Sequence, residues 1–302
     1  MQTHFELGLI GYPLGHSLSP QIHTAALRSC GLKGDYSLFP IAPDDMQGLK
    51  DLLGRVRSGQ IHGLNVTIPH KQNLIQFLDE LTPTARAIGA VNTIYLREDR
   101  LIGDNTDAPG FLADLNSFLA DQESWAKNRK SKIQNRKSAI ILGSGGSARA
   151  VVYALLNDGW DVTVAARRIE QAHQLARSFV QHKVHTAQFE HLILHPFGFA
   201  QDRLSSFFLI VNTTPVGMTP YADQSPWPEN LSFPPHAALY DLVYNPPETK
   251  LVRDAQAQGL PATTGFGMLI EQAALSFELW TEHSAPRESM RASLTNSPIS
   301  NL

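Results

Sequence analysis

Residues 139–148 read Ala139-Ile140-Ile141-Leu142-Gly143-Ser144-Gly145-Gly146-Ser147-Ala148. Four apolar residues followed by a glycine-rich turn are typical of a strand that is covered on both faces and ends at the edge of a parallel sheet. The pattern continues as a helix over residues 147–157 and a second strand over residues 161–165. This strand–turn–helix–strand unit predicts an α/β fold with a parallel, doubly wound sheet.

The turn fits the pattern G-x-G-x-x-A, in which each small residue has its own task. Gly143 permits the tight turn, Gly145 lets the backbone approach a pyrophosphate, and Ala148 lets the helix pack against the strand. The free N–H groups at the start of the helix also favour phosphate. The residues that we expect to hold the pyrophosphate of a dinucleotide are Gly143, Ser144, Gly145, Gly146 and Ser147.

The end of the second strand indicates which dinucleotide is bound. Proteins that bind NAD often have Asp or Glu there for the ribose 2′-hydroxyl, whereas this chain has Ala165-Ala166-Arg167-Arg168. Two guanidinium groups without a carboxylate suit a 2′-phosphate, and each charge-assisted hydrogen bond contributes roughly 1.5–3 kcal/mol. We therefore expect Arg167 and Arg168 to select NADP(H). The alternative is a pair of exposed arginines that bind nothing.

The rest of the second half continues the same sheet. Residues 207–211 and 238–243 are apolar runs that predict buried strands, and residues 268–280 have the spacing of an amphipathic helix. Residues 122–137 are polar and basic, which we interpret as a surface loop and not as a nucleic-acid patch. Residues 185–206 predict an irregular insertion.

The first hundred residues also alternate strands and helices. We place strands at 7–11, 36–39 and 63–68, helices at 19–30, 45–56 and 70–81, and a hairpin of 91–96 with 101–103 around Glu98-Asp99. Ser19 and Pro20 predict the N-cap and the first position of the first helix. At the other end of the chain, we expect a mobile tail after Ser284.

The overall composition limits the class of protein. A chain of 302 residues favours two domains, and 42% hydrophobic with 18% charged residues indicates packed globular structure. The formal net charge of −3 gives no electrostatic reason to expect nucleic acid or an anionic membrane as a partner.

Cysteine, histidine and apolar runs narrow the class further. Cys30 is the single cysteine, which excludes an intramolecular disulfide. His191 and His195 have helical spacing without an obvious third ligand, so we expect no metal. The N-terminus lacks a basic start before an apolar stretch, and no run reaches the roughly 18–20 apolar residues of a membrane span. We therefore expect a cytoplasmic protein.

Polar side chains gather at the ends of the predicted elements in the first hundred residues. Ser17 and Ser19 place two hydroxyls at the entrance of a helix, which suits a small carboxylate, although ordinary capping uses the same residues. In the strand at 63–68, the period of two puts Asn65 and Thr67 on one face, and Leu64, Val66 and Ile68 on the other.

Lys71 lies where the next predicted helix begins. A cation there has the wrong sign for the helix dipole, which favours loss of its proton and suits acid–base chemistry near neutral pH. A solvated turn lysine is the alternative. The strings Gly89-Ala90-Val91-Asn92-Thr93 and Gly103-Asp104-Asn105-Thr106-Asp107 follow, although Asn and Asp are also common in turns.

Taken together, these strings resemble shikimate dehydrogenase. The matching segments occur in the order of that family between about residues 11 and 280; they are 15–20, 65–71, 89–93, 103–107, 143–146, 212–218, 240–244 and 265–274. Each segment alone is weak evidence for the family, whereas the whole set in this order is specific to it.

The resemblance implies the reversible reduction of 3-dehydroshikimate to shikimate by NADPH, a step toward aromatic amino acids. It implies that Lys71 and Asp107 are the catalytic pair. The residues implied to contact the substrate are Ser17 and Ser19, at its carboxylate, and Asn65, Thr67, Lys71, Asn92, Asp107, Tyr244 and Gln272. The residues implied to bind the cofactor besides the glycine turn are Arg167, Thr213, Leu242, Gly265 and Met268.

The chain departs from the family pattern in places. The family commonly reads Asn-Arg-Thr where residues 166–168 read Ala-Arg-Arg, so one contact is missing and Arg168 is extra. Residues 122–137 and 185–206 are longer than the pattern needs. Two alternatives stay open. One is an enzyme that uses quinate, with relaxed substrate or cofactor choice; the other is an inactive relative that binds metabolite and nucleotide as a regulator.

We therefore expect two α/β domains. Residues 1–108 form a substrate domain that the C-terminal residues 266–302 complete, and residues 109–265 form a doubly wound, Rossmann-like NADP-binding domain. The partner is a small-molecule substrate, and the protein is a monomer or a homodimer.

Overall fold

The computed structural model describes residues 4–122, 137–189, 206–229 and 231–295. The chain divides into two compact units. Unit 1 consists of Met1–Gly110 with Ile270–Leu302, and unit 2 consists of Phe111–Leu269. The sequence-predicted features at residues 123–136, at residues 190–205 and at the histidine pair 191 and 195 lie outside the described residues.

Unit 1 is built on six strands. They are β1 His4–Gly11, β2 Lys33–Pro40, β3 Gly63–Val66, β4 Glu80–Leu81, β5 Thr93–Arg97 and β6 Arg100–Asp104. Its helices are α1 Ser19–Ser29, α2 Met46–Arg57, α3 His70–Asn73, α4 Pro83–Ile88 and α10 Arg287–Thr295. Two helices contain the boundaries between the units: α5 Asp107–Asp121 and α9 Phe266–Thr281.

The unit 1 sheet has the order β2-β1-β3-β5-β6-β4. Strands β1, β2 and β3 are parallel, while β5 runs antiparallel to both β3 and β6. The ends of β1, β3 and β6 therefore lie at the edge of the sheet where β5 begins. An apolar core covers one face, where Leu64 and Val66 of β3 pack with the buried leucines of α2.

Unit 2 contains a second six-stranded sheet. Its strands are β7 Ser138–Leu142, β8 Asp161–Ala166, β9 Val184–Gln188, β10 Leu209–Asn212, β11 Ala238–Asp241 and β12 Ala262–Thr264. The remaining described helices are α6 Gly146–Asn157, α7 Ile169–Arg177 and α8 Lys250–Ala257. Every residue of β7, β10 and β11 is buried, which explains why these strands read as unbroken apolar runs.

All pairings in the second sheet are parallel, in the order β12-β11-β10-β7-β8-β9. The order reverses between β7 and β10, which is the switch point of a doubly wound fold. Ligands of such folds bind beyond the carboxyl ends of the strands at that point. The predicted fold class, two α/β domains with one Rossmann-like sheet, is confirmed.

Four local predictions in unit 1 are wrong. The helix expected at 70–81 ends at Asn73, and the chain continues as a 3-10 turn, Leu74–Phe77, and then as β4. Pairing of β4 with β6 overrides the helical spacing. The backbone N of Asp79, just before β4, also donates to the carbonyl of Leu101 on β6, at 3.0 Å.

The strand expected at 63–68 stops at Val66, and Ile68 is 61% exposed. Pro69 has no N–H to extend the ladder and restricts the residue before it. At α1, Leu18 is the N-cap and Ser19 is the first helical residue. The first helical bond thus goes to the Leu18 carbonyl, while the Ser17 hydroxyl accepts from the Ser19 backbone N at 3.3 Å.

The tail expected to be mobile after Ser284 instead contains α10, which packs on α1. Met290 and Leu294 are buried, and Ser289 Oγ lies 3.1 Å from Ser29 Oγ. The buried pair, four residues apart, gives α10 an apolar stripe. Among the described residues, no helix has the length and apolar character that crossing a membrane requires.

His23 is a fully buried imidazole on α1. Its ring stacks on that of Tyr36, with centroids 4.4 Å apart and an interplanar angle of 3°. Burial lowers the pKa of His23 to about 3, against an ordinary 6.5, and the side chain of Asn65 offsets this only in part. The ring is therefore neutral in the folded protein at neutral pH.

Replacing His23 by Phe is expected to make stability less dependent on pH. The unfolded chain protonates His23 near pH 6.5 and the folded chain only near pH 3, so stability falls as pH falls through this window. Between about pH 8 and about pH 5 the wild type should lose about 2 kcal/mol more than His23→Phe. Urea unfolding at both pH values measures this, and equal losses would contradict the assignment.

Candidate active site

Most of the residues that the sequence predicts to contact the substrate lie at one edge of the unit 1 sheet, which we call the polar edge. Ser17 and Ser19 follow β1, Thr67 and Lys71 follow β3, Asn92 precedes β5, and Asp107 follows β6. Because β1, β3 and β6 end where β5 begins, one sheet edge carries all of these segments.

Lys71 and Asp107 form an ion pair at this edge. Lys71 Nζ lies 2.6 Å from Asp107 Oδ2, and the side chains are only 12% and 6% exposed. The backbone holds both partners: the carbonyl of Lys71 accepts from the Val91 N–H at 2.7 Å, and Asp107 is the first residue of α5. A carboxylate at a helix N-terminus is favoured by the helix dipole.

Asn92 holds the second oxygen of the carboxylate. Its Nδ2 donates to Asp107 Oδ1 at 2.9 Å, and its Oδ1 accepts from the backbone N of Thr106 at 2.7 Å. The backbone N–H can only donate, so the orientation of the amide is fixed and Nδ2 must face the carboxylate. Each oxygen of Asp107 therefore has its own donor, which a buried carboxylate requires.

Gln272 joins the same group from α9. Its Oε1 lies 3.4 Å from Asn92 Nδ2. A Cβ at Gly110 would lie 2.8 Å from the backbone N of Gln272, so glycine at position 110 permits the close approach of α5 and α9. The glycine thus explains how a residue 180 positions away in sequence reaches the site.

Asn65 lies deeper, with 5% of the residue exposed. Its Oδ1 accepts from the Tyr36 hydroxyl at 2.8 Å, and its Nδ2 donates to the Ser276 hydroxyl at 3.0 Å and to the Asn92 carbonyl at 3.3 Å. These bonds occupy most of the hydrogen-bonding capacity of the amide. Ser17 and Thr67 are half-buried, and Ser19 is 8% exposed.

The glycine turn in unit 2 fits a dinucleotide. Gly143 has a positive φ of 114°, and a Cβ there would lie 2.6 Å from Thr213 Oγ1. Gly145, the N-cap of α6, has φ −81°, and a Cβ there would meet no protein atom within 4 Å. Open space over Gly145, at the N-terminus of α6, is the cradle that a pyrophosphate needs.

The residues after β10 and β11 flank this turn. Thr213 Oγ1 donates to the carbonyl of Leu142 at 2.7 Å, and the backbone N of Leu242 donates to the carbonyl of Asn212 at 2.9 Å. A Cβ at Gly265 would lie 2.3 Å from the carbonyl oxygen of Leu242, so this position requires glycine. Met268 is 7% exposed on α9.

A buried carboxyl group fixes these two loops. Asp241 accepts from Asn212 Nδ2 at 2.8 Å, from the Val243 backbone N at 3.0 Å and from Thr249 Oγ1 at 2.7 Å. Burial raises the pKa of Asp241 to about 6, despite the three donors. Asp241 thus ties β10 and β11 together where Thr213 and Leu242 begin their loops.

The remaining sequence-predicted residues lie in unit 2. Arg167 and Arg168 are exposed at the end of β8, and the Arg168 side chain makes no cap hydrogen bond to α7. Tyr244 is half-buried two residues after Leu242, and desolvation raises the pKa of its hydroxyl.

Comparison with known proteins identifies the family. Residues 9–94 match the model of the shikimate dehydrogenase substrate binding domain, residues 124–195 that of shikimate / quinate 5-dehydrogenase, and residues 265–295 that of the shikimate 5′-dehydrogenase C-terminal domain. The shikimate dehydrogenase (NADP(+)) of Salinibacter ruber is 39% identical over 92% of this chain and 93% of its own length. The chain belongs to the shikimate dehydrogenase family.

Other members of the shikimate dehydrogenase family match at similar levels. The Bacillus subtilis shikimate dehydrogenase (NADP(+)) is 35% identical over 94% of both chains. The crystal structure of shikimate 5-dehydrogenase from Thermus thermophilus, in complex with NADP(H) and shikimate, superposes with a TM-score of 0.79 at 35% identity. It covers 96% of this chain and 98% of its own. The resemblance inferred from the ordered motifs is confirmed.

The role of each individual site residue stays a prediction. The structure shows which of these residues lie together. Lys71, Asp107, Asn92 and Asn65 form one hydrogen-bonded cluster in unit 1, and Gln272 Oε1 lies beside it, 3.4 Å from Asn92 Nδ2. Ser17, Ser19 and Thr67 lie on segments at the same sheet edge. Tyr244 belongs to unit 2, with the nucleotide-binding residues.

Sequence reasoning missed several polar residues of the cluster. Thr93 and Thr106 stand in the quoted strings, next to Asn92 and Asp107, but had no assigned role. Ser276 lies four residues after Gln272 on α9, and this helical spacing was an available signal. Tyr36 reads as an ordinary strand residue, so only the tertiary fold reveals its bond to Asn65.

Two glycine substitutions distinguish folding from cofactor binding at the turn. Gly143→Ala is expected to lower stability by about 1–3 kcal/mol, because alanine disfavours the positive φ. Gly145→Ala fits the backbone and the open space, so its melting temperature should match the wild type. It should nevertheless weaken NADPH binding about tenfold or more, because its methyl group occupies the pyrophosphate cradle. Titration of NADPH measures this, and unchanged affinity in Gly145→Ala would remove the turn from the cofactor site.

Proposed function

We propose that this protein catalyses the reversible, NADPH-dependent reduction of 3-dehydroshikimate to shikimate, in the pathway to aromatic amino acids. The observation that carries the proposal is the buried ion pair of Lys71 and Asp107, 2.6 Å apart, on a polar edge built from the family's motifs. The two relatives from Salinibacter ruber and Bacillus subtilis, which match more than nine tenths of this chain, are NADP-dependent shikimate dehydrogenases.

The protein supplies the proton for the reaction. When bound, NADPH supplies the hydride that adds to the carbonyl carbon of the substrate. The carbonyl oxygen then becomes an alkoxide. The positive charge of the Lys71 ammonium group stabilises this alkoxide, and the same group donates a proton to it. The carboxylate of Asp107 orients that ammonium. In the reverse direction Lys71 takes the hydroxyl proton back.

The remaining residues of the edge recognise an anionic polyol. Ser17 and Ser19 offer hydroxyl groups at the start of α1, where the helix dipole favours the substrate carboxylate. Thr67, Asn92 and Gln272 offer hydroxyl and amide groups for the ring hydroxyls. We assign Tyr244 of unit 2 and Asn65 of unit 1 to the substrate as well.

Unit 2 supplies the cofactor residues in this proposal. Gly143 to Ser147 hold the pyrophosphate, and the exposed Arg167 and Arg168 hold the 2′-phosphate, since a bidentate guanidinium suits phosphate. Thr213, Leu242, Gly265 and Met268 line the nicotinamide side. We accordingly propose residues 1–108 with 266–302 as the substrate domain and residues 109–265 as the NADP domain.

We further propose that the enzyme acts in the cytoplasm as a monomer or a homodimer, without a nucleic-acid partner. The formal net charge of −3 gives a polyanion no electrostatic advantage. Biosynthesis of amino-acid precursors with NADPH is a typical cytoplasmic task.

A matched set of assays tests the activity. Purified protein receives 3-dehydroshikimate or 3-dehydroquinate with NADPH or NADH, and loss of nucleotide absorbance is followed. Turnover of 3-dehydroshikimate with a strong preference for NADPH is expected, because two arginines favour the 2′-phosphate. Equal use of NADH would overturn the arginine assignment. Preference for 3-dehydroquinate would favour a quinate enzyme, and no turnover would favour a regulatory relative.

The Lys71→Ala variant tests the proton donor. We expect kcat to fall by roughly 10²–10⁴ because the proton donor is lost. NADPH affinity should barely change, because Lys71 belongs to unit 1 and the residues proposed to hold the nucleotide belong to unit 2. Lys137→Ala is a matched control, since Lys137 pairs with Asp158 at 2.7 Å on the exposed surface of unit 2. Full turnover in Lys71→Ala would exclude Lys71 as the donor.

A further inference from the structure

Four buried side chains behind the ion pair form a closed hydrogen-bonded ring, which we call the hydroxyl ring. Its members are Asn92, Thr93, Thr106 and Ser276, which are 2%, 0%, 3% and 0% exposed. They come from the start of β5 and the residue before it, from the turn after β6 and from α9, so the ring joins segments that are far apart in sequence. The proposed mechanism uses only Asn92 among them.

The Asn92 amide fixes the direction of the two ring bonds that it makes, because Nδ2 can only donate and Oδ1 can only accept. Asn92 Nδ2 donates to Thr106 Oγ1 at 2.9 Å, and Thr106 Oγ1 lies 3.1 Å from Ser276 Oγ. Ser276 Oγ lies 2.7 Å from Thr93 Oγ1, which donates to Asn92 Oδ1 at 3.1 Å. When Thr93 donates to Asn92, the hydroxyl of Ser276 can donate either to Thr93 or to the carbonyl of Gln272, which lies 3.0 Å from Ser276 Oγ.

Neighbouring groups agree with this direction. Asn65 Nδ2 donates to Ser276 Oγ at 3.0 Å and occupies one lone pair of the Ser276 hydroxyl. The backbone N of Thr106 donates to Asn92 Oδ1 at 2.7 Å, so that oxygen receives two donors. The second hydrogen on Asn92 Nδ2 remains for Asp107 Oδ1 at 2.9 Å.

We infer that Thr93 is a positioning residue for the reduction: its hydroxyl holds and polarises the Asn92 amide, which keeps the Asp107 carboxylate aligned with Lys71. A chain of hydrogen bonds strengthens its members, so donation to Asn92 Oδ1 makes the Nδ2–H a better donor to Asp107. Thr93 itself is fully buried and acts only through Asn92. This inference rests on the proposed reduction.

Two substitutions at one position separate the hydroxyl from the methyl group. Thr93→Val keeps the shape and removes the hydroxyl, so kcat should fall about tenfold or more, because a misaligned catalytic group is costly. Thr93→Ser keeps the hydroxyl and removes a buried methyl, so kcat should stay within about threefold of the wild type although stability falls. NADPH affinity should be unchanged in both variants.

A purely structural role predicts a different outcome, in which kcat follows stability. Thermal unfolding of both variants therefore accompanies the assays. Thr281→Val is the control, because Thr281 is another buried hydroxyl of α9 and donates to the Phe277 carbonyl at 2.8 Å. Its kcat should remain that of the wild type. Turnover in Thr93→Val within twofold of the wild type would overturn the inference.

A double substitution tests whether Thr93 acts through Asn92. In the Asn92→Ala background, Thr93→Val should cause no further loss of kcat. The same fold-loss in both backgrounds would contradict the inference. If Thr93→Val does not fold, Thr93→Ala removes the same hydroxyl without adding a methyl group and should lower kcat in the same way, whereas wild-type turnover there would overturn the inference.

The two proposals fail in different ways. An inactive wild type in the 3-dehydroshikimate assay would refute the proposed function. An active wild type with an equally active Thr93→Val would refute the positioning role alone.

Discussion

The ammonium of Lys71 and the carboxylate of Asp107 meet at 2.6 Å with 12% and 6% of their side chains exposed, and much of unit 1 serves this contact. Removing two charges from water costs several kcal/mol per ion, which their attraction repays only when the remaining hydrogen bonds are satisfied. Asn92 satisfies the free oxygen of Asp107. Loss of one partner would leave an uncompensated charge, at a cost of about 3–5 kcal/mol.

Backbone packing makes this arrangement possible. A Cβ at Gly63 would lie 2.3 Å from the Trp280 ring, and one at Gly110 would lie 2.8 Å from the Gln272 backbone N. The two glycines therefore let α9 approach β3 and α5 closely enough for Ser276 and Gln272 to join the polar cluster. In unit 2, glycine at position 265 likewise leaves room for the carbonyl oxygen of Leu242. The small residues are thus as necessary to the site as its polar groups.

The sequence predicts much of this architecture because local patterns and sheet topology agree. Buried parallel strands read as apolar runs, and the glycine turn after Leu142 has a single suitable location in a doubly wound sheet. Predictions are wrong where a distant partner decides the structure. Residues 80–81 pair with β6 instead of continuing a helix, and α10 is ordered by packing on α1.

The same distinction applies to the site. Lys71, Asn92 and Asp107 stand in motifs whose spacing is visible in the sequence, whereas Tyr36 and Ser276 join them only through the tertiary fold. A crystal structure of the protein with bound shikimate would show whether Lys71 is the proton donor. We expect the reacting hydroxyl oxygen within about 3.2 Å of Lys71 Nζ, with Asp107 still paired to the lysine. Shikimate bound with no oxygen near Lys71, or bound away from this sheet edge, would contradict this assignment.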